Sequence, residues 1–151
     1  MAATATAQMT EKFHIWLVED SEADELLMRQ ALKLDGMDCD FQVSEDGEKA
    51  IDFIEAIDRT DAGPRPHIVL LDLNLPRKSG REVLAEIRAD AILKSLIVLV
   101  LTTSSDSEDV AAAYRLNANA YITKPVDLNQ FFHSVQVIDQ FWFNVVTLPK
   151  E

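Results

Sequence analysis

The chain has 151 residues, 48% hydrophobic and 26% charged, with a formal net charge of −12 and a single cysteine. That length suits one domain with a real core, and the acidity repels phosphate backbones, which argues against direct binding of nucleic acid or an anionic membrane. No apolar run approaches the roughly 20 residues of a membrane helix, and Cys39 alone excludes an internal disulfide framework and fits a reducing, cytoplasmic compartment. No basic neighbour would activate the Cys39 thiol, so a packed, semi-buried cysteine is expected.

Residues 1–12 are expected to form a flexible tail, since Met1 to Thr10 lack the basic start and apolar middle of a secretory signal. Thereafter short β-branched apolar runs alternate with segments of helical period. A strand over Phe13 to Val18 precedes a helix with Ala23, Leu26, Leu27, Ala31 and Leu34 on one stripe. A strand over Phe41 to Ser44 precedes a helix carrying Ala50, Ile51, Ile54 and Ile57. Ile68 to Leu71 leads into a helix with Val83, Leu84 and Ile87, and Leu96 to Leu101 into one with Val110, Ala113 and Tyr114. Ala120 to Ile122 leads into a long helix striped by Leu128, Phe131, Val135, Ile138, Trp142 and Val145. Breakers separate these elements: Asp46-Gly47, Gly63-Pro64-Arg65-Pro66, Pro76 with Gly80, Asn117 to Asn119, and Lys124-Pro125. Five β-α units in series predict an α/β fold with a parallel sheet covered by helices on both faces. Its binding crevice is then expected at the carboxyl ends of the strands.

The residues that end the strands carry chemistry. The first strand is followed by Glu19-Asp20, the third by Asp72, the fourth by Thr102-Thr103 and the fifth by Lys124. Clustered carboxylates would force one of their number to protonate unless a cation joins them. Oxygen donors without sulfur or imidazole favour magnesium. A carboxylate can attack phosphorus, and a magnesium ion, the Lys124 ammonium and the Thr102 hydroxyl would stabilise the transferring group. Asp72, ending a wholly apolar strand, is the expected nucleophile, and Asn74 in the following loop could offer its backbone carbonyl to the metal. The three histidines, His14, His67 and His133, show no ligand spacing and are expected to be packed or solvated.

The segments Leu17-Val18-Glu19-Asp20, Leu70-Leu71-Asp72-Leu73-Asn74-Leu75-Pro76 with Gly80, Leu101-Thr102-Thr103 and Ala120-Tyr121-Ile122-Thr123-Lys124-Pro125 resemble the signature of bacterial response-regulator receiver domains. The resemblance implies a flavodoxin-like (βα)5 fold with strand order 2-1-3-4-5 and a receiver over residues 13–144. It implies a phosphoacceptor at Asp72, charged by a histidine kinase. Magnesium would be held by Glu19, Asp20, Asp72 and the Asn74 carbonyl, and phosphoryl oxygens by Thr102 and Lys124. Tyr121 would be a switch aromatic coupled to Thr102, and the Lys124-Pro125 bond would be cis. The product is the modified protein itself, so the expectation is a switch rather than a turnover enzyme. Ser104, near the mouth of the site, is expected to tune loss of the phosphoryl group to water.

The last helix is more apolar than a sheet cover requires. Phe132, Phe141 and Phe143 fall off its stripe and, with Trp142, are expected to form an interface, consistent with a homodimer. The ending Phe141-Trp142-Phe143, then Thr147-Leu148-Pro149, resembles receivers that partner phytochrome-type kinases. Residues 145–151 would be a short extension, too few for an output module. The output would then be contact with a downstream protein or relay to a phosphotransfer protein. Three alternatives fit the sequence less well. A haloacid-dehalogenase-like phosphatase would need its nucleophile on the first strand and an acid two residues later, where Asn74 stands. A flavin or nucleotide binder would need a glycine-rich phosphate loop after the first strand. A docking-only pseudo-receiver would have no use for a complete site.

Overall fold

A computed structural model describes residues 13–34, 39–60, 65–143 and Thr147. The elements alternate throughout: β1 (Phe13–Val18), α1 (Glu22–Leu34), β2 (Cys39–Ser44), α2 (Gly47–Thr60), β3 (Ile68–Leu71), α3 (Gly80–Ala89), β4 (Ile97–Thr102), α4 (Ser107–Arg115), β5 (Ala120–Thr123) and α5 (Leu128–Ile138). A π-helical turn, Asp139–Phe143, continues α5. The five strands form one parallel sheet in the order β2-β1-β3-β4-β5, the predicted topology. The tail over 1–12, Gly63-Pro64 and most of 145–151 lie outside the described residues.

Successive strand residues point to opposite faces, so each apolar run feeds two core layers. On one face Trp16, Val18, Val69, Leu71, Val98 and Val100 pack against α2, α3 and α4. On the other Ile15, Leu17, Ile68, Leu70, Leu99 and Leu101 pack against α1 and α5. Trp16 is fully buried, and its indole N–H donates to Ser44 Oγ at 2.9 Å, which meets its one polar requirement. Cys39, half-buried, packs against the second layer.

The α1 stripe differs from the expected one. Ala23 is exposed and Leu26 is 56% exposed, whereas Met28, Ala31 and Leu32 are buried and Leu27 packs partly against them. The buried face is therefore rotated by about one residue, or 100°, from the spacing Ala23 and Leu26 imply. The side chain of Leu34 lies outside the description. On α5 the expected stripe holds at Phe131, Val135 and Ile138 but not at Leu128, which is 66% exposed in the first turn.

Candidate functional site

The backbone ladder delivers the chemical groups to the carboxyl edge of the sheet. The Glu19 amide donates to Ser44 O at 3.1 Å, the Asp72 amide to Val18 O at 3.0 Å, and the Lys124 amide to Thr102 O at 2.6 Å. These bonds continue the β1-β2, β1-β3 and β4-β5 pairing by one residue, which aligns the three side chains over the sheet edge. Gly80 begins α3 hard against this edge. A Cβ there would lie 2.3 Å from Asp72 O and 2.5 Å from Leu73 Cα, so only glycine allows α3 to start this close to the end of β3. Ser21 caps α1 by accepting from the Asp24 amide, which leaves the capping role to the serine rather than to Asp20.

Asp72 is buried and accepts from three donors. Its Oδ1 accepts from Thr102 Oγ1 at 2.8 Å and from the Asn74 amide at 3.0 Å; its Oδ2 accepts from Lys124 Nζ at 3.1 Å. Lys124 Nζ also donates to Glu19 Oε1 at 2.5 Å and to Asp24 Oδ2 at 2.9 Å. Glu19, Asp20 and Asp72 each offer an oxygen within 4.8 Å of the others.

The charges do not balance. Three carboxylates, those of Glu19, Asp24 and Asp72, share one ammonium, and Asp20 adds a fourth negative charge beside Glu19 and Asp72. Burial pushes the Glu19 carboxyl up to about 7, with the Asp72 charge adding to the rise and Lys124 opposing it. Burial also works against the Lys124 ammonium, but its bonds to Asp24 and Glu19 and the nearby charges outweigh that and hold its pKa above the ordinary range. A cluster that holds a buried acid half-protonated near neutrality is short of positive charge. An all-oxygen donor set of this spacing fits a hard divalent cation.

A family model for the response regulator receiver domain matches residues 15–136. The chain belongs to the response-regulator receiver family. The receiver is 47% identical to response regulator Rcp1 of Synechocystis sp. over 135 residues, 89% of this chain and 92% of Rcp1. It superposes on the crystal structure of the Mn2+-bound form of Rcp1 with a TM-score of 0.84 at 46% identity, covering 91% of this chain and 99% of that one. It superposes on the phosphorylated cyanobacterial phytochrome response regulator RcpA with a TM-score of 0.86 at 41% identity, covering 93% and 100%. The phosphatase alternative finds no support, because the family and these relatives are response regulators.

The fold brings together the expected residues Glu19, Asp20, Asp72, Thr102 and Lys124. The cis bond expected between Lys124 and Pro125 is not found. No cis peptide bond occurs among the described residues, so Lys124-Pro125 is trans, the isomer that X-Pro bonds favour by about 0.5–1 kcal/mol, and the ammonium reaches the acids from that geometry. Ser104 turns its hydroxyl to Asp109 Oδ2 at 2.5 Å rather than toward Asp72. Asp109 also pairs with Arg81, which ties α4 to α3. The Tyr121 hydroxyl donates to Ser104 O at 2.8 Å, so the expected switch aromatic is linked to the loop that follows Thr102. His14 and His67, distant in sequence, stack with ring centroids 5.5 Å apart at the opposite end of the sheet, a packing contact away from the site.

Of the aromatics expected to stand off the last helix, Phe132 is half-buried against the core, Phe141 is 49% exposed, and the Phe143 side chain lies outside the described residues. Phe132 sits one 100° step from the buried Phe131, at the border of the stripe, which explains its partial burial. Asp24 was not anticipated. Its signal is visible in hindsight: it stands three and four residues before Leu27 and Met28, at the top of the buried face of α1.

Proposed function

We propose that this receiver is a phosphorylation switch in which Asp72 accepts a phosphoryl group from a histidine kinase. The observation that carries the reading is the environment of the Asp72 carboxylate: Thr102 on one oxygen, Lys124 on the other, and the Glu19 and Asp20 oxygens beside it. Glu19, Asp20 and Asp72 would hold Mg2+, with the Asn74 carbonyl as a further donor. When bound, the ion would neutralise charge on the phosphoryl oxygens and lower the repulsion between donor and acceptor.

In the transfer step an Asp72 oxygen attacks phosphorus, the bond from phosphorus to the donor's imidazole nitrogen breaks, and the electron pair leaves with that nitrogen. Lys124 and Thr102 then donate to oxygens of the new acyl phosphate. Their groups are already within hydrogen-bond distance of the acceptor, so positioning contributes much of the catalysis. Movement of Thr102 toward the phosphoryl group would pull on the loop that holds the Tyr121 hydroxyl, biasing the surface formed by α4, β5 and α5.

A phytochrome-type kinase is the proposed donor, on the strength of the likeness to a phytochrome response regulator. The proposed setting is the cytoplasm, and no described helix is long and apolar enough to cross a membrane. Output passes to a downstream protein or a phosphotransfer protein. A second copy of the chain is the proposed occupant of the apolar face around Phe141 and Trp142, which meet edge to face with centroids 5.6 Å apart, with the half-buried Phe132 on the same helix.

Incubation with Mg2+ and a small phosphodonor, followed by intact mass measurement, tests the central claim. One phosphoryl adduct is expected, absent from Asp72→Asn. Persistence of the adduct in that variant, or no adduct with any donor, overturns it.

A further inference from the structure

Lys124 spends one ammonium on three acids, and one of these stands apart. Glu19 and Asp72 are deeply buried members of the acceptor cluster. Asp24 comes from the first turn of α1, its side chain is 27% exposed, and it lies outside the group of carboxylates near enough to share a cation. An ammonium has three N–H donors, and here all three are taken. A phosphoryl group arriving on Asp72 brings oxygens that need one of them. The bond to Asp24 is the one that can be released at least cost, because a quarter-exposed carboxylate is rehydrated while Glu19 is not.

We infer that Asp24 is a positioning residue that draws Lys124 toward α1 and so slows charging of Asp72. The inference rests on the reading of Asp72 as the acceptor. Two effects act in the same direction. Asp24 competes with the incoming phosphoryl oxygens for the Lys124 donor, and its charge opposes approach of an anionic phosphodonor. Asp24 thereby sets how readily the receiver charges without taking part in bond making.

The test uses the full chain with Mg2+ and an acyl phosphate as donor, with adduct formation followed by intact mass. Asp24→Asn, close in shape but uncharged, is expected to charge roughly 3- to 10-fold faster at sub-saturating donor, the range for loss of one partly exposed ion-pair partner. Asp24→Glu, which restores the charge on a longer arm, is expected to return toward the wild-type rate. A second readout needs neither metal nor donor: the 15N-bound protons of the Lys124 ammonium, assigned by their loss in Lys124→Gln, should exchange with water faster in Asp24→Asn. An unchanged or slower charging rate in Asp24→Asn overturns the inference, and so does an unaltered Lys124 signal. Absence of any adduct on the wild-type chain overturns the Asp72 reading itself, whereas wild-type charging without acceleration in Asp24→Asn sinks only the role of Asp24.

Discussion

At Glu19 two opposed effects meet. Burial raises its carboxyl, the Lys124 ammonium lowers it, and burial wins, leaving the group near 7 against an unperturbed 4.5. A carboxyl whose native pKa lies above its unfolded one holds a proton that the unfolded chain releases. Glu19 therefore costs the metal-free fold stability as pH climbs from about 4.5 through 7. A bound cation would replace that proton. Mg2+ affinity is thus expected to rise between pH 6 and 8, by at most about tenfold per pH unit for one displaced proton, and to lose most of that slope in Glu19→Gln. Thermal melts with and without Mg2+ across this range give the comparison. A Mg2+-induced rise in Tm no larger at pH 8 than at pH 6 would refute it.

The elements are joined by contacts that leave no room for adjustment. A Cβ on Gly47 would meet Lys78 O at 1.9 Å, where the start of α2 abuts the loop after β3, and its amide donates to Pro76 O at 3.2 Å. Gly80 is confined in the same way against Asp72 and Leu73. Because the obstructing atoms are backbone, Gly47→Ala and Gly80→Ala should each lower stability by about 1–3 kcal/mol, read from urea midpoints. Gly80→Ala should also slow charging of Asp72, since the atoms it displaces are those of the acceptor segment. At the start of α5, Asp127 accepts from the Asn129 and Gln130 amides, and Asp127→Ala should cost about 1 kcal/mol as a lost N-cap.

At the scale of the whole molecule the acidic site stands at the carboxyl edge of the sheet and α5 packs on one of its faces. A groove of about 250 Å3 lined by Ile122, Val137, Ile138, Phe141 and Trp142 opens beside β5 and α5. With Val137 45% and Phe141 49% exposed, it offers apolar surface that a second copy would cover. Phe141→Glu would place a charge in that contact. It should shift the chain to monomer by light scattering while leaving the Asp72 adduct intact, and an unchanged mass would remove this face from the dimer reading.

Much of this architecture was legible before folding because its signals are local. The apolar runs at Ile68 to Leu71 and Leu96 to Leu101 demand burial on both faces, which dictates a parallel sheet with two helix layers. The acids, hydroxyl and lysine at the strand ends follow from that topology, since parallel strands all end on one edge. Other features depended on three-dimensional placement. The face that α1 buries was settled by packing against Ile15, Leu17 and α5, which turned Leu26 out and Met28 in. The same rotation aims Asp24 at Lys124, one hundred residues away, and nothing in the spacing near either residue announces that pair. The direction of the Ser104 hydroxyl was decided likewise, by Asp109 on α4, whose carboxylate accepts its hydrogen bond. Sequence by itself determined which groups reach the site, because period and strand polarity are properties of the backbone. Tertiary structure alone decided which of those groups share a proton donor, because that depends on distances between side chains whose helices meet only in the folded core.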